Sequence, residues 1–75
     1  MINVTIINDH QIYYLHAEDV IYIRKGQMPS DLRKDYVEVH TYKGRLEIDN
    51  MKVQDLHKLL SSGKAETIKN IFRRL

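Results

Sequence analysis

Hydrophobic and polar residues alternate over the first two thirds of the chain, in short runs separated by polar clusters. The first run alternates at Ile2, Val4 and Ile6, and Asn8-Asp9-His10 follows it as a turn. Similar runs, rich in β-branched and aromatic residues, lie at 11–16, 20–24, 35–41 and 46–48. A period of two is typical of strands. The pattern therefore predicts about five strands over residues 2–48, with Gly44 in the turn of the last hairpin.

The period changes at Asp49-Asn50, where either residue can cap a helix. Three apolar residues then fall on one helical face: Val53, Leu56 and Leu60. This spacing predicts an amphipathic helix over about 51–61, which Ser61-Ser62-Gly63 ends.

A second apolar stripe lies near the end of the sequence. It consists of four residues at the spacings i, i+3, i+4 and i+7: Ile68, Ile71, Phe72 and Leu75. We therefore predict a second, basic helix over about 65–74. A final strand over 68–74 is the alternative, and it is disfavoured because the polar pairs Lys69-Asn70 and Arg73-Arg74 fit no period of two.

Together these elements predict a single α+β domain over 1–75, a small antiparallel sheet or partial barrel of about five strands followed by one or two C-terminal helices. The 75 residues, 43% of them apolar or aromatic, are enough for one small core. The chain has no Cys and therefore no disulfide. A core of this size supplies only about 3–5 kcal/mol of net stability, so we expect a homo-oligomer.

The stretch from Lys25 to Lys34 has a different composition, with Gly26, Pro29 and Ser30 among charged residues. Pro29 removes a donor that a strand ladder would need, so this stretch is predicted to be a loop. A long solvated connection is the favoured interpretation, and a mobile functional loop is the alternative.

Charge and location follow from the whole chain. The formal net charge is +2, but the charge is unevenly distributed. Residues 1–50 carry six basic and eight acidic residues, whereas residues 51–75 carry six basic and two acidic residues. The start of the chain has no cationic region followed by an apolar run, and no apolar stretch approaches the ~20 residues that span a bilayer. We expect a cytoplasmic protein without membrane contact.

Residue types that carry catalysis or hold metals are sparse. The four histidines lack the close spacing of a ligand pair and are more readily explained as structural or surface residues than as metal ligands: His10, His16, His40 and His57. The three glycines are isolated, and no serine lies in a nucleophile-elbow pattern. We therefore predict a non-enzymatic protein without metal or cofactor.

Positive charge gathers at the hairpin tip and in the C-terminal segment, where no acidic residue is adjacent in sequence. The candidate nucleic-acid-binding residues are Lys43, Arg45, Lys69, Arg73 and Arg74. Five tyrosines add a candidate stacking surface: Tyr13, Tyr14, Tyr22, Tyr36 and Tyr42. The alternatives are a solvated charged face and tyrosines that pack in the core with the hydroxyl in water.

Three stretches occur in the order strand, hairpin and Leu-rich helix: LHAEDVIYI at 15–23, YVEVHTYKG at 36–44 and VQDLHKLL at 53–60. They resemble the first half of the LytTR-type DNA-binding domain of bacterial response regulators, over about residues 12–60. The next element of that family is an F-x-R-x-H-R-S strand that supplies much of its DNA contact, and residues 72–75 match only F-x-R. The resemblance implies a bacterial module that binds DNA for transcription regulation.

The first eight residues, MINVTIIN, are similar to the start of small flagellar and swarming-motility proteins of the FlbD type, which begin M-I-x-V-T-x-x-N-G. Asp9 stands where that family has Gly. This second resemblance implies a protein-binding adaptor in motility, and a truncated competitor of a full-length regulator is another form of the adaptor alternative. Salt dependence separates DNA from protein as the partner, because only a phosphate-driven complex weakens steeply with salt.

Overall fold

The computed structural model describes residues 3–27 and 35–75, so most of the predicted loop over 25–34 lies outside the described residues. The elements in chain order are β1 (Asn3–Ile7), β2 (Ile12–His16), a 3-10 turn (Ala17–Asp19), β3 (Val20–Lys25), β4 (Tyr36–Thr41), β5 (Gly44–Asp49), α1 (Val53–Ser61), β6 (Glu66–Lys69) and β7 (Phe72–Arg74).

These strands form two sheets, with the orders β2-β1-β6 and β3-β4-β5-β7. β1 and β6 run parallel, and all other neighbouring strands run antiparallel. The α+β class and the mainly antiparallel pairing are therefore confirmed, although the described residues form more strands than the predicted five.

The predicted second helix over 65–74 is wrong. This segment forms β6 and β7, so the disfavoured strand alternative was nearer to the structure. β6 pairs with β1, from Val4 opposite Glu66 to Ile7 opposite Lys69, and β7 pairs with β5. Buried backbone groups along β1 and β5 need hydrogen-bond partners, and this segment supplies them.

The corner between β6 and β7 lies at Asn70 and Ile71. The backbone N–H of Asn70 donates to the carbonyl of Ile7 (3.1 Å), and its side-chain Nδ2 donates to the carbonyl of Asp49 (2.8 Å). The N–H of Asp49 in turn donates to the carbonyl of Ile71 (2.8 Å). One short segment therefore connects the two sheets.

The core lies between the sheets and α1. Among the described residues it contains nine that are buried: Val4, Ile6, Leu15, Val37, Val39, Leu46, Ile48, Leu56 and Phe72. α1 contributes Leu56 and packs mainly against β1 and β3. No helix in the described part of the chain is long and apolar enough to cross a bilayer.

The helix over 51–61 is confirmed, but its predicted cap is wrong. The capping position is Lys52, in extended backbone and without a side-chain cap bond. Asp49 ends β5, and its carboxylate receives a hydrogen bond from Arg73. Asn50 follows with a φ of 55°. The polar pair at 49–50 therefore serves the sheet edge and not the helix start.

The hairpin between β4 and β5 forms as the sequence predicts. Gly44 has a φ of +129°, a conformation that side-chain-bearing residues rarely adopt. The hydroxyl of Thr41 donates to the carbonyl of Gly44 (2.7 Å), and the backbone N–H of Tyr42 donates to the carbonyl of Asp19 (3.0 Å). The hairpin tip is therefore anchored to the turn that follows β2.

Candidate functional site

A groove of about 640 Å³ lies between β2, the β4–β5 hairpin and the end of β7. We call it the edge groove. Its walls include all of β2, the hairpin residues Lys43 to Arg45, and the last two residues, Arg74 and Leu75. This volume is within the range of small ligand sites.

The edge groove follows the side of a strand and not the face of a sheet. Successive side chains of a strand point to opposite faces, so a groove on one face meets every second residue. The edge groove is lined by residues from both faces of β2: Ile12 and Tyr14 from the outer face, and Tyr13 and Leu15 from the inner face. β2 pairs only with β1 among the described strands, so its other edge is open.

The ladder between β1 and β2 shows which backbone groups of β2 are already bonded. The N–H of Asn8 donates to the carbonyl of Gln11 (3.0 Å), in the same register that places Ile6 opposite Tyr13. Bonded and non-bonded pairs alternate along an antiparallel ladder. The N–H and C=O of Tyr13 therefore point to β1, and two residues further on those of Leu15 do the same.

The other backbone groups of β2 point to the open edge. They belong to Ile12, Tyr14 and His16, which occupy the non-bonded positions of this ladder. The same alternation is seen on β1. Ile7 lies opposite Ile12, and its carbonyl points away from β2 and accepts a hydrogen bond from the N–H of Asn70 on the β6 side. An open edge of this kind is a template for another strand.

The end of β7 presents a second open edge to the groove. The N–H of Leu75 donates to the carbonyl of Arg45 (2.9 Å), and the N–H of Asp49 donates to the carbonyl of Ile71. In this register Arg74 occupies a non-bonded position, so its backbone N–H and C=O point away from β5. Backbone groups from both β2 and β7 are therefore open along the groove.

Three of the five predicted nucleic-acid-binding residues meet at the edge groove: Lys43, Arg45 and Arg74. Lys43 Nζ lies 3.2 Å from Asp19 Oδ2, in an ion pair of an exposed lysine with a partly buried carboxylate. The guanidinium carbon of Arg74 lies 5.4 Å from the ring centroid of Tyr13. Arg74 is distant in sequence from the other two cations, and the three outnumber the one acidic side chain, that of Asp19, among the described lining residues.

The other two predicted residues lie elsewhere. Arg73 is on the opposite side of β7 from Arg74, and its Nη1 lies 3.2 Å from Asp49 Oδ2. Lys69 is on β6, opposite Ile7, next to the corner between the sheets. The five residues therefore do not form one continuous cationic surface.

The predicted tyrosine surface is also divided. Tyr13 and Tyr14 line the edge groove, and Tyr42 is exposed at the hairpin tip. Tyr22 stacks on His40 with the ring centroids 4.3 Å apart, on the outer face of the four-stranded sheet. Tyr36 is buried, as the core alternative expects.

An ion pair on that outer face, with a buried carboxylate and a partly exposed guanidinium, was not singled out from the sequence. Arg24 Nε donates to Glu38 Oε1 (2.8 Å), and His40 Nε2 lies 3.3 Å from the same oxygen. The hydrogen bond from Arg24 holds the pKa of Glu38 below its usual value, against burial, which raises it. The alternation of β4, which puts Glu38 and His40 on one face, was the available signal.

The large apolar side chains on the rim of the edge groove were also not identified from the sequence as candidate binding residues. Ile12 is 58% exposed, Tyr14 is 60% exposed, and Leu75 is similarly exposed. The sequence signal was that the second strand is apolar on both faces, although only one face can be buried against the core.

Within 3–27 and 35–75 no group of three or more His, Asp or Glu residues is placed to hold a metal ion. No protein-family model, no curated protein and no solved structure matches the chain. The resemblances to the LytTR-type and FlbD-type proteins stay predictions from the sequence.

Proposed function

We propose that this protein is a small, non-enzymatic binding module whose partner is another protein, which is the adaptor alternative from the sequence. One observation carries the proposal. The edge groove combines open strand backbone with the exposed apolar side chains of Ile12, Tyr14 and Leu75. Exposed apolar patches with polar rims mark protein interaction sites, and burial contributes about 25 cal/mol per Å².

The division of the cations between separate surfaces favours a protein partner over DNA. Arg73 pairs with Asp49 on the opposite side of β7 from Arg74, so its guanidinium would have to leave that carboxylate to contact phosphate. Lys69 lies away from the groove, next to the corner of the sheets. A duplex laid along the groove would also meet the side chains of Ile12 and Leu75, which cannot donate to phosphate.

DNA binding for transcription regulation, as the LytTR resemblance implies, is the second candidate. The specific observation in its favour is that Lys43, Arg45 and Arg74 line one groove together with Tyr13 and Tyr14. Cations interleaved with aromatic rings are typical of nucleic-acid surfaces. In this form the DNA proposal depends on three of the five predicted residues.

Two parallel measurements test the choice. In the first, fluorescence anisotropy follows a labelled duplex DNA at about 50 and about 200 mM salt. In the second, the immobilised protein captures proteins from a bacterial lysate at the higher salt, with Tyr14→Ala as the groove variant and Lys69→Gln as the matched control. We expect no salt-sensitive DNA complex. We expect the protein to capture a partner protein, and we expect Tyr14→Ala to weaken this capture and Lys69→Gln to leave it unchanged. A DNA complex that weakens steeply with salt and is lost in Lys43→Gln/Arg45→Gln would replace our proposal with the second candidate.

A further inference from the structure

We infer that the edge groove receives an extended, acidic peptide segment that adds to β2 as a strand. This inference rests on the proposed protein-binding function and specifies the partner. The backbone of β2 offers hydrogen bonds to such a segment, because Ile12, Tyr14 and His16 direct their N–H and C=O groups to the open edge. Extended peptides bind such edges through main-chain hydrogen bonds, and side-chain contacts then select the sequence.

The groove also carries an excess of basic side chains. Lys43, Arg45 and Arg74 line it, and among the described lining residues Asp19 alone has an acidic side chain. Lys43 is 71% exposed in its pair with Asp19, and an ion pair with so exposed a cation is weak in water, so Lys43 can turn to a ligand carboxylate at small cost. The excess of positive charge favours acidic side chains in the segment and disfavours basic ones.

Side chains alternate between the two faces of the sheet along β2. An added strand places every second side chain beside Ile12 and Tyr14, which are apolar and exposed. The side chains between them fall on the face of Tyr13, where the guanidinium of Arg74 lies. The segment that fits both faces therefore alternates apolar and acidic residues.

A synthetic peptide tests this inference directly. The probe is a fluorescent Val-Glu repeat of about ten residues, a length within the range of natural strands. We expect it to bind with a dissociation constant below about 1 mM. Two control peptides isolate the two parts of the inference. A fully N-methylated Val-Glu repeat keeps the charge but has no backbone donor, and a Val-Lys repeat keeps the donors but reverses the charge. Each control should bind at least about tenfold more weakly.

Protein variants locate the peptide. Tyr14→Pro removes the outward donor of β2 without removing a bond to β1, because the N–H of Tyr14 is at a non-bonded position. Tyr14→Ala removes the same side chain and keeps the donor, so it is the matched control. We expect Tyr14→Pro to weaken peptide binding about tenfold relative to Tyr14→Ala. Circular dichroism and urea unfolding show whether both variants are folded. If Tyr14→Pro is not folded, peptide binding by Arg74→Gln gives a second test of whether the peptide occupies the groove.

Several results would overturn the inference. One is absence of binding by the Val-Glu peptide at about 1 mM, and another is equal binding of the N-methylated or the Val-Lys peptide. If this chain forms a dimer that Tyr14→Pro dissociates, the occupant of the groove is a second copy of the chain. If duplex DNA competes with the peptide for the groove, the occupant is nucleic acid. Tyr14-dependent capture of a lysate protein without peptide binding would overturn this inference alone and leave the proposed function standing.

Discussion

The guanidinium of Arg74 lies over the ring of Tyr13, with 5.4 Å between the guanidinium carbon and the ring centroid. The ring of Phe72 meets the same tyrosine edge-on, with the centroids 6.0 Å apart. Two side chains of β7 thus hold one ring of β2, although the two strands belong to different sheets. These contacts join the strands through side chains and leave the backbone edges above them open.

Loss of the Tyr13 ring should destabilise the fold. Tyr13→Ala removes the contacts with Phe72 and Arg74, and we expect the free energy of unfolding to fall by about 2–4 kcal/mol. Urea unfolding measures the change. Tyr14→Ala is the matched control on the exposed side of the same strand and should cost less than about 1 kcal/mol. Equal losses in the two variants would contradict the bridging role of Tyr13.

Gly26 is required because the ring of Tyr36 occupies the space where a Cβ would lie. Gly26→Ala forces the ring to move, and we expect a loss of about 1–3 kcal/mol in the free energy of unfolding. In a Tyr36→Leu background the same substitution should cost clearly less, because the smaller side chain leaves room. Additive losses in this double-mutant cycle would show that the ring is not the obstacle.

Acid should remove the stabilisation that Glu38 provides. The hydrogen bond from Arg24 lowers the pKa of Glu38 in the folded protein below its ordinary value of 4.5. A lowered folded pKa means that the contribution is complete above about pH 4.5 and is lost as the pH falls through the folded value. Glu38→Gln should therefore be less stable than the parent at about pH 7, and the difference should shrink towards about pH 3. A difference that is constant with pH would contradict this account.

The homo-oligomer expected from the small core stays a prediction, and the structure offers a surface for it away from the edge groove. Ile21 and Tyr22 are exposed on β3, which pairs only with β4 among the described strands. We expect sedimentation at micromolar concentration to show a species larger than the 8.9 kDa monomer. Ile21→Lys should restore the monomer, with Lys69→Gln as a control on another surface. A parent that sediments at 8.9 kDa would contradict this prediction.

Alternation predicted the antiparallel hairpins and the turn at Gly44, because strands one turn apart in sequence leave a local pattern. The segment over 65–74 was mispredicted for a physical reason. Its apolar spacing fits a helix, yet in the structure Ile68 and Phe72 pack inward whereas Ile71 and Leu75 are exposed. The parallel pairing of β6 with β1 depends on contacts between the two ends of the chain, which no local pattern contains.

The candidate site was predictable only in part, again because of distant contacts. The hairpin and C-terminal cations were identified correctly as charged clusters in the sequence, but their carboxylate partners were not. Lys43 pairs with Asp19, and Arg73 pairs with Asp49, in both cases more than twenty residues away. Local charge patterns cannot show such pairs, so the sequence overestimated how much of the cationic surface is open to a ligand.

The amide hydrogen exchange of Tyr13 and Tyr14, with and without the Val-Glu peptide, tests the central claim most directly. In the free protein we predict slow exchange at Tyr13, whose N–H points to β1, and fast exchange at Tyr14, whose N–H points to the open edge. Saturation with the peptide should slow the exchange of Tyr14 at least about tenfold and leave residues on the exposed face of α1 unchanged. Unchanged exchange at Tyr14 under conditions where the peptide is bound would contradict strand addition at the edge groove.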